Sequence, residues 1–183
     1  MQNIFLVSDT HFSHANICKF TKDDGTKLRP WNDVDEMNED MVKFWNETVR
    51  PEDKVYHLGD VVINKKHLHI MERLNGTKVL IKGNHDTAKL ADYMQYFKDI
   101  RAYHALRGLI FSHIPVHEGE LRRFGCNIHG HLHQARVMKD GDIDPRYFNV
   151  SVEHTNFRPI LLEEVKNLIL EQGGEIGLTN GNF

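Results

Sequence analysis

The residues of this chain that could do chemistry fall into five short groups. They are Asp9-Thr-His11, Gly59-Asp60, Gly83-Asn84-His85-Asp86, Ser112-His113 and Gly130-His131-Leu-His133. Each follows an apolar run that reads as a β-strand, and in layered α/β folds the carboxyl ends of strands gather at one crevice. Carboxylates, an amide and imidazoles would therefore meet in one place. That mixture suits a divalent transition ion such as Mn, Fe, Zn or Ni, whereas an all-oxygen set would favour Mg or Ca. A single four-coordinate ion is filled by four donors, and more than that converge here. Two ions sharing a bridging carboxylate would use them all.

Histidine is the outlier of the composition, with 13 in 183 residues, and it is the commonest metal ligand. In NIHGHLHQ, residues 127–134, histidines alternate at 129, 131 and 133. An unbroken strand would aim all three the same way. Gly130 ends the alternation, so His131 and His133 can turn to two different ions. His129, at the end of a strand, reads as structural or as support for them.

These groups need strands to hold them and helices to cover the strands. Ile4–Val7 reads as a first strand, Lys54–Leu58 as a second and Thr77–Lys82 as a third. Further strands are expected near 101–105, 108–113, 127–129 and 147–152. Between 33 and 49, Val34, Met37, Met41, Phe44, Trp45 and Thr48 recur at helical spacing, behind an Asp33 cap with Glu36 three residues on and before Pro51. Shorter helices are expected near 64–74 and 88–97, and a closing helix at 161–172 before Gly173-Gly174. No repeat or linker interrupts the pattern, so residues 1–183 read as one domain. Strands alternating with helices favour a layered α/β fold.

The bulk properties exclude several classes. A net charge of −3 offers no basic field for capturing long duplex nucleic acid. Cys18 and Cys126 are the two cysteines, too few for a disulfide framework, which fits a reducing compartment. The N-terminus lacks a basic signal-peptide region, and no apolar stretch approaches a membrane span. A cytoplasmic location is expected.

The series D-x-H, GD, GNHD, a lone His and GHxH, in this order over about residues 3–133, resembles the calcineurin-like metallophosphoesterase family. VSDTHFSHANI, VYHLGDVV and YFNVSVEHTNFRPI further resemble its compact bacterial and phage members. The resemblance implies a layered α-β-β-α sandwich of mixed sheets and two divalent ions, manganese first, with iron, zinc or nickel as alternatives. It implies that Asp9, His11 and His133 hold one ion, that Asn84, His113 and His131 hold the other, and that Asp60 bridges them. It also implies hydrolysis by a hydroxide between the ions, with His85 stabilising the transition state or protonating the leaving oxygen. Asp86 would orient His85 or raise its pKa.

Other residues carry competing readings. Arg29 is the first candidate to grip substrate phosphate, since arginine binds it bidentately; Asn16 and then Arg122 or Arg123 follow. His14 stands near the mouth of the site, with substrate contact weighed against a surface role. Phe12 reads as packing before base stacking. His67 and His69 read as lying on a solvent-facing helix, His104 and His117 as strand-end or loop residues, and His57 as facing the sheet or a partner backbone group. His154 could approach the metals, but the structural reading is favoured.

The expected activity is hydrolysis of a phosphodiester in a nucleotide or other small phosphoester. Diester is preferred because a protonating histidine helps most with a poor alkoxide leaving group. A phosphomonoesterase or nucleotide pyrophosphatase is the alternative. Residues 129–135 also resemble the histidine-triad nucleotide hydrolases, which need no metal, but that reading leaves GD and GNHD without work. A non-catalytic binding scaffold is the remaining alternative, disfavoured because His85 and every ligand position are present.

Overall fold

In the computed structural model, which describes residues 2–177, the elements follow one another in this order. First come β1 (Ile4–Val7), α1 (Val34–Thr48), β2 (Lys54–His57), β3 (Thr77–Ile81), α2 (Leu90–Tyr93) and β4 (Asp99–Arg101). Then come β5 (Tyr103–Leu106), β6 (Leu109–Ser112), β7 (Cys126–His129), β8 (Met138–Lys139), β9 (Asp142–Ile143), β10 (Tyr147–Asn149), β11 (Ile160–Leu161) and α3 (Leu162–Glu171). The first sheet runs β11-β1-β2-β3-β4, parallel except for the antiparallel edge strand β11. The second runs β10-β7-β6-β5, parallel except for β5, and β8 and β9 form a separate hairpin.

Side-chain alternation explains why the first sheet is buried on both faces. Phe5, Val7, Val55 and Leu80 point to a core shared with Met37, Met41 and Trp45 of α1. The intervening Leu6, Tyr56, Val79 and Ile81 meet Phe111, Cys126, Ile128 and Phe148 of the second sheet, and Val165 and Ile169 of α3 join them. Burying each large apolar side chain stabilises the fold by about 1.5–3 kcal/mol. A smaller cluster, Ile110, Leu121 and Tyr147, lies outside the second sheet under the 3₁₀ segment Glu118–Arg123. The fold is the expected layered α/β sandwich of mixed sheets, with a 3₁₀ turn contributing to its outermost layer.

Local chemistry sets the covering elements. Asp33 caps α1 by accepting from the backbone N–H groups of Asp35 and Glu36 at 2.9 and 3.0 Å. The segment expected as an α-helix near 64–74 is a 3₁₀ helix, Lys65–Arg73. Its buried residues Leu68 and Met71, followed by Leu74, recur every third position, which suits three residues per turn. The helix expected over 88–97 shortens to Leu90–Tyr93, and Phe97 reaches the core from the turn beyond it. Among the described residues no helix is long and apolar enough to cross a membrane.

Candidate metal centre

The parallel order of β1, β2 and β3 puts their carboxyl ends side by side, and the loops leaving them are tied together by the backbone. The N–H groups of Asp9 and His11 donate to the carbonyls of Gly59 and Asp60 at 2.9 and 3.0 Å. The second sheet is tied in by Gly130 N–H, which donates to the His113 carbonyl at 2.9 Å, and by His131 N–H, which donates to Asp9 Oδ2 at 2.9 Å. These approaches require glycine. A Cβ on Gly83 would collide with the Asp60 carboxylate, and one on Gly130 with Ser8 Oγ and Asp9 Oδ2.

Five residues of the centre, Asp9, His11, Asp60, His131 and His133, have φ between +46° and +69°. Left-handed backbone costs a non-glycine residue of order 1–3 kcal/mol, and such strain gathers where it re-aims functional side chains. It breaks the alternation of NIHGHLHQ after His129, so His131 and His133 leave the strand geometry altogether.

The seven candidate ligands come together. Ligand atoms of Asp9, His11 and His133 all lie within 4.8 Å of one another, as do those of Asp9, Asp60 and His113. Asp60 Oδ2 stands 3.6 Å from His11 Nε2 and 3.4 Å from His113 Nε2, between the two groups. Asn84 Oδ1 lies 2.9 Å from both His113 Nε2 and His131 Nδ1.

The donor chemistry fits cations. His113 Nδ1 faces the Leu58 carbonyl at 2.7 Å, and a carbonyl can only accept, so Nδ1 carries the hydrogen and Nε2 of the neutral ring is free to ligate. Asp9 Oδ2 is taken by His131 N–H and by Ser151 Oγ–H at 2.8 Å, which leaves Asp9 Oδ1 aimed inward. Among the described residues, Asp9 Oδ1 and His11 Nε2 are buried without a hydrogen-bond partner. Buried lone pairs this close together are unfavourable unless a proton or a metal ion sits among them.

Protonation equilibria report the same crowding. Burial raises the Asp9 pKa despite His113 nearby, and burial, helped by the Arg29 charge, holds His11 well below the usual histidine range. Burial opposes ionisation of Asp60, but the His113 hydrogen bond and charge prevail and bring it to about 2. Burial likewise opposes the charge on His113, yet Asp60 and Asp9 raise its pKa.

His85 is exposed, with its ring centroid 5.6 Å from that of His11 and its backbone N–H donating to Asp60 Oδ1 at 2.9 Å. Asp86, expected to orient His85, does something else. Its carboxylate accepts from the backbone N–H groups of Asp60 and Gly83, both at 2.8 Å, and of Val61 at 3.1 Å. It is buried, makes no hydrogen bond to the His85 ring among the described residues, and clamps the second and third strand-end loops together.

Arg29 is also corrected. It is fully buried, with Nη1 and Nη2 donating to the carbonyls of Thr10 and Asp9 at 2.8 and 2.6 Å. Its Nε and Nη2 meet Glu153 Oε1 at 2.9 and 2.8 Å, and the remaining Nη1 hydrogen faces Met37 Sδ at 3.6 Å, so no donor is left for a substrate. Asn16 stays exposed on the 3₁₀ segment Ala15–Lys19, accepting from Lys19 at 3.5 Å, outside the ligand cluster. His14 is at the rim, its ring 5.9 Å from that of His11. Phe12 is buried in the first core, and Arg122 and Arg123 are exposed on the turn before β7.

Three further histidines lie outside the ligand cluster. His57 is fully buried, its Nε2 2.9 Å from Thr10 Oγ1. His129 is buried beside the Gly130 carbonyl at 2.8 Å, and burial brings its pKa down to about 4. His154 is partly buried at the end of a 3₁₀ turn.

Sequence reasoning missed three supporting residues, Asn149, Ser151 and Glu153. Asn149 Nδ2 donates to the carbonyls of His133 and Ala135, both at 2.9 Å, Ser151 holds Asp9, and Glu153 Oε1 accepts from His133 Nδ1 at 3.1 Å. The signal was present in Asn149-Val-Ser151-Val-Glu153, where polar residues occupy every second position and Val150 and Val152 fill the cores.

A layered fold whose strand ends deliver two overlapping sets of imidazole, carboxylate and amide donors has the frame of a metal-dependent enzyme, and the family match makes it a phosphoesterase. The chain belongs to the calcineurin-like phosphoesterase family, matching it over residues 3–178, and dependence on a dinuclear metal centre comes with that membership. An uncharacterized protein of Methanocaldococcus jannaschii is 37% identical over 186 aligned positions, covering 98% of each chain. The Gene 66 protein of Mycobacterium phage D29 is 25% identical, covering 94% of this chain and all of the phage protein. Among solved structures, a protein of unknown function from Aquifex aeolicus superposes with a TM-score of 0.68 at 26% identity, covering 92% of this chain and all of that one.

Proposed function

We propose that this phosphoesterase hydrolyses phosphodiesters in nucleotides or other small phosphoesters. Two divalent ions, manganese first, would be held by Asp9, His11 and His133 on one side and by Asn84, His113 and His131 on the other, with Asp60 shared. When bound, such a pair supplies positive charge for the phosphoryl oxygens and acidifies a water molecule that can attack phosphorus. The chain's own residues do the rest. Asp60 Oδ2 faces both ligand sets, while its Oδ1 holds the His85 backbone N–H. His85 would then hold a proton at the leaving oxygen, where an alkoxide most needs one.

The observation that carries this reading is the exposed imidazole of His85 beside a ligand cluster whose Asp9, His11, Asp60 and His113 are buried. A group so placed is redundant for metal binding and useful for expelling an alcohol. The net charge of −3 supports a small substrate over long duplex nucleic acid.

The test is a substrate screen on protein stripped with EDTA and reloaded separately with Mn²⁺, Fe²⁺, Zn²⁺ or Ni²⁺. Cyclic nucleotides, dinucleotides and phosphomonoesters would be compared by kcat/KM. Diesters are expected to lead, with Mn²⁺ giving the highest rate. Turnover confined to monoesters would overturn the diester reading, and metal binding without turnover of any ester would revive the scaffold.

A further inference from the structure

A cleft of about 290 Å³ has His85 in its wall. Its other walls come from residues 62–65, just after β2, from residues 87–89, just before α2, and from Tyr93 of α2. Val62 and Tyr93 contribute buried apolar side chains, and Lys65 and Lys89 are the basic residues of the lining. Lys65 Nζ stands 3.4 Å from Asp92 Oδ2, with both side chains partly exposed. Lys89 forms no salt bridge among the described residues, so its ammonium group is not committed to a carboxylate. A lysine ammonium without a carboxylate partner is available to hydrogen-bond a phosphate at close range.

His85 belongs to both places. Its ring centroid lies 5.6 Å from that of His11 in the metal centre, and the residue also lines the cleft. A phosphoester at the metal centre that reached His85 would stand at the mouth of this cleft. We propose that the cleft holds the alcohol arm of the phosphodiester and that Lys65 and Lys89 recognise a second phosphate on that arm. The proposal rests on the diesterase reading above. It narrows the substrate class to small molecules with two phosphates, such as short oligonucleotides or phosphorylated dinucleotides. A volume of about 290 Å³, at the lower end of small-molecule sites, admits a sugar phosphate and excludes a duplex.

Two measurements on the Mn²⁺-loaded protein separate this proposal from the reading beneath it. The first compares kcat/KM for a thymidine dinucleotide without a terminal phosphate and for the same dinucleotide phosphorylated at its 5′ or 3′ end. One phosphorylated form is expected to be preferred about tenfold at low salt, with the preference shrinking as ionic strength rises. In Lys65→Met/Lys89→Met that ratio should fall to about one, whereas the surface control Lys43→Met, on α1, should keep it. The second measurement is calorimetric binding of thymidine 3′,5′-bisphosphate against thymidine 5′-monophosphate, which needs no turnover. The bisphosphate should bind about tenfold tighter to the natural protein and equally to the double variant. Cleavage of all the dinucleotides at equal efficiency would overturn the subsite and leave the diesterase standing. If no dinucleotide is cleaved, the diester reading falls, and equal binding of the two nucleotides would then remove the subsite as well. A preference that survives in the double variant would also overturn it.

Discussion

Glu153 Oε1 accepts a hydrogen bond from His133 Nδ1 at 3.1 Å, and the same oxygen is gripped by Arg29. The pairing fixes the tautomer of His133, because a carboxylate takes the Nδ1 hydrogen and leaves Nε2 with its lone pair directed at the ligand cluster. Burial would raise the Glu153 pKa, but the Arg29 charge and the His133 hydrogen bond bring it down to about 2. Arg29 in turn holds the carbonyls of Asp9 and Thr10, so one buried ion pair organises the loop after β1 and the loop after β7.

Glu153→Gln should therefore weaken Mn²⁺ binding by roughly 10–100-fold, the usual effect of losing a partner that orients a ligating histidine. Calorimetric Mn²⁺ titration would measure it. The same change leaves Arg29 buried without its anion and should lower stability by about 3–5 kcal/mol in urea unfolding. Unchanged Mn²⁺ affinity in a folded variant would show that His133 needs no such support.

Asp60 has no substitute. Its two oxygens serve different partners: Oδ2 lies between His11 and His113, and Oδ1 anchors the His85 backbone. Asp60→Asn replaces a shared anion by a neutral amide, so both ligand sets lose their common charge. Metal content by elemental analysis should fall from about two ions per chain to one or fewer, with turnover down more than about 100-fold. Retention of two ions would mean that Asp60 does not bridge.

His85→Ala tests the opposite separation. The side chain is exposed and only its backbone N–H touches Asp60, so the variant should keep about two ions per chain while kcat falls by roughly 10²–10⁴. The loss should be larger for an alkyl leaving group than for nitrophenolate, which needs no proton. An equal loss for both leaving groups would argue against a proton donor and for simple charge stabilisation.

What was legible in the sequence was the set of ligand types, because each group stands where an apolar run ends and strand ends gather. The orientation of those ligands was not. Nothing in the spacing of Asp9, His11 or His133 announces a left-handed backbone, which comes from the way the loops bond to one another. Arg29 read as a phosphate grip because it lies in a polar segment. Its partner Glu153 is 124 residues away, and no local pattern reveals a long-range ion pair. Asp86 was misread for a similar reason. Its place next to His85 in sequence suggested a dyad, whereas its side chain faces the backbone of two adjoining loops.

His57 gives a pH dependence of stability with a definite sign. Burial holds its pKa at about 3, against 6.5 for a free histidine, while its ring sits between Thr10 Oγ1 and the Gly59 N–H. Between those values the unfolded chain binds a proton that the folded chain refuses, so unfolding gains as pH falls. The contribution of His57 is fully present above about pH 6.5 and is lost as pH drops toward 3, at about 1.4 kcal/mol per pH unit. Asp9, His113 and His133, whose pKa values are raised, pull the other way, so the measurement must be a difference. Urea unfolding of EDTA-treated natural protein and His57→Gln, compared at pH 7.5, 6 and 5, isolates the single residue. The variant should be less stable at pH 7.5, for want of the Thr10 contact, yet lose less on acidification. The gap between the two proteins should narrow by about 1.4 kcal/mol from pH 6 to pH 5. Parallel stability curves would show that His57 takes up a proton as readily in the folded protein as in the unfolded chain.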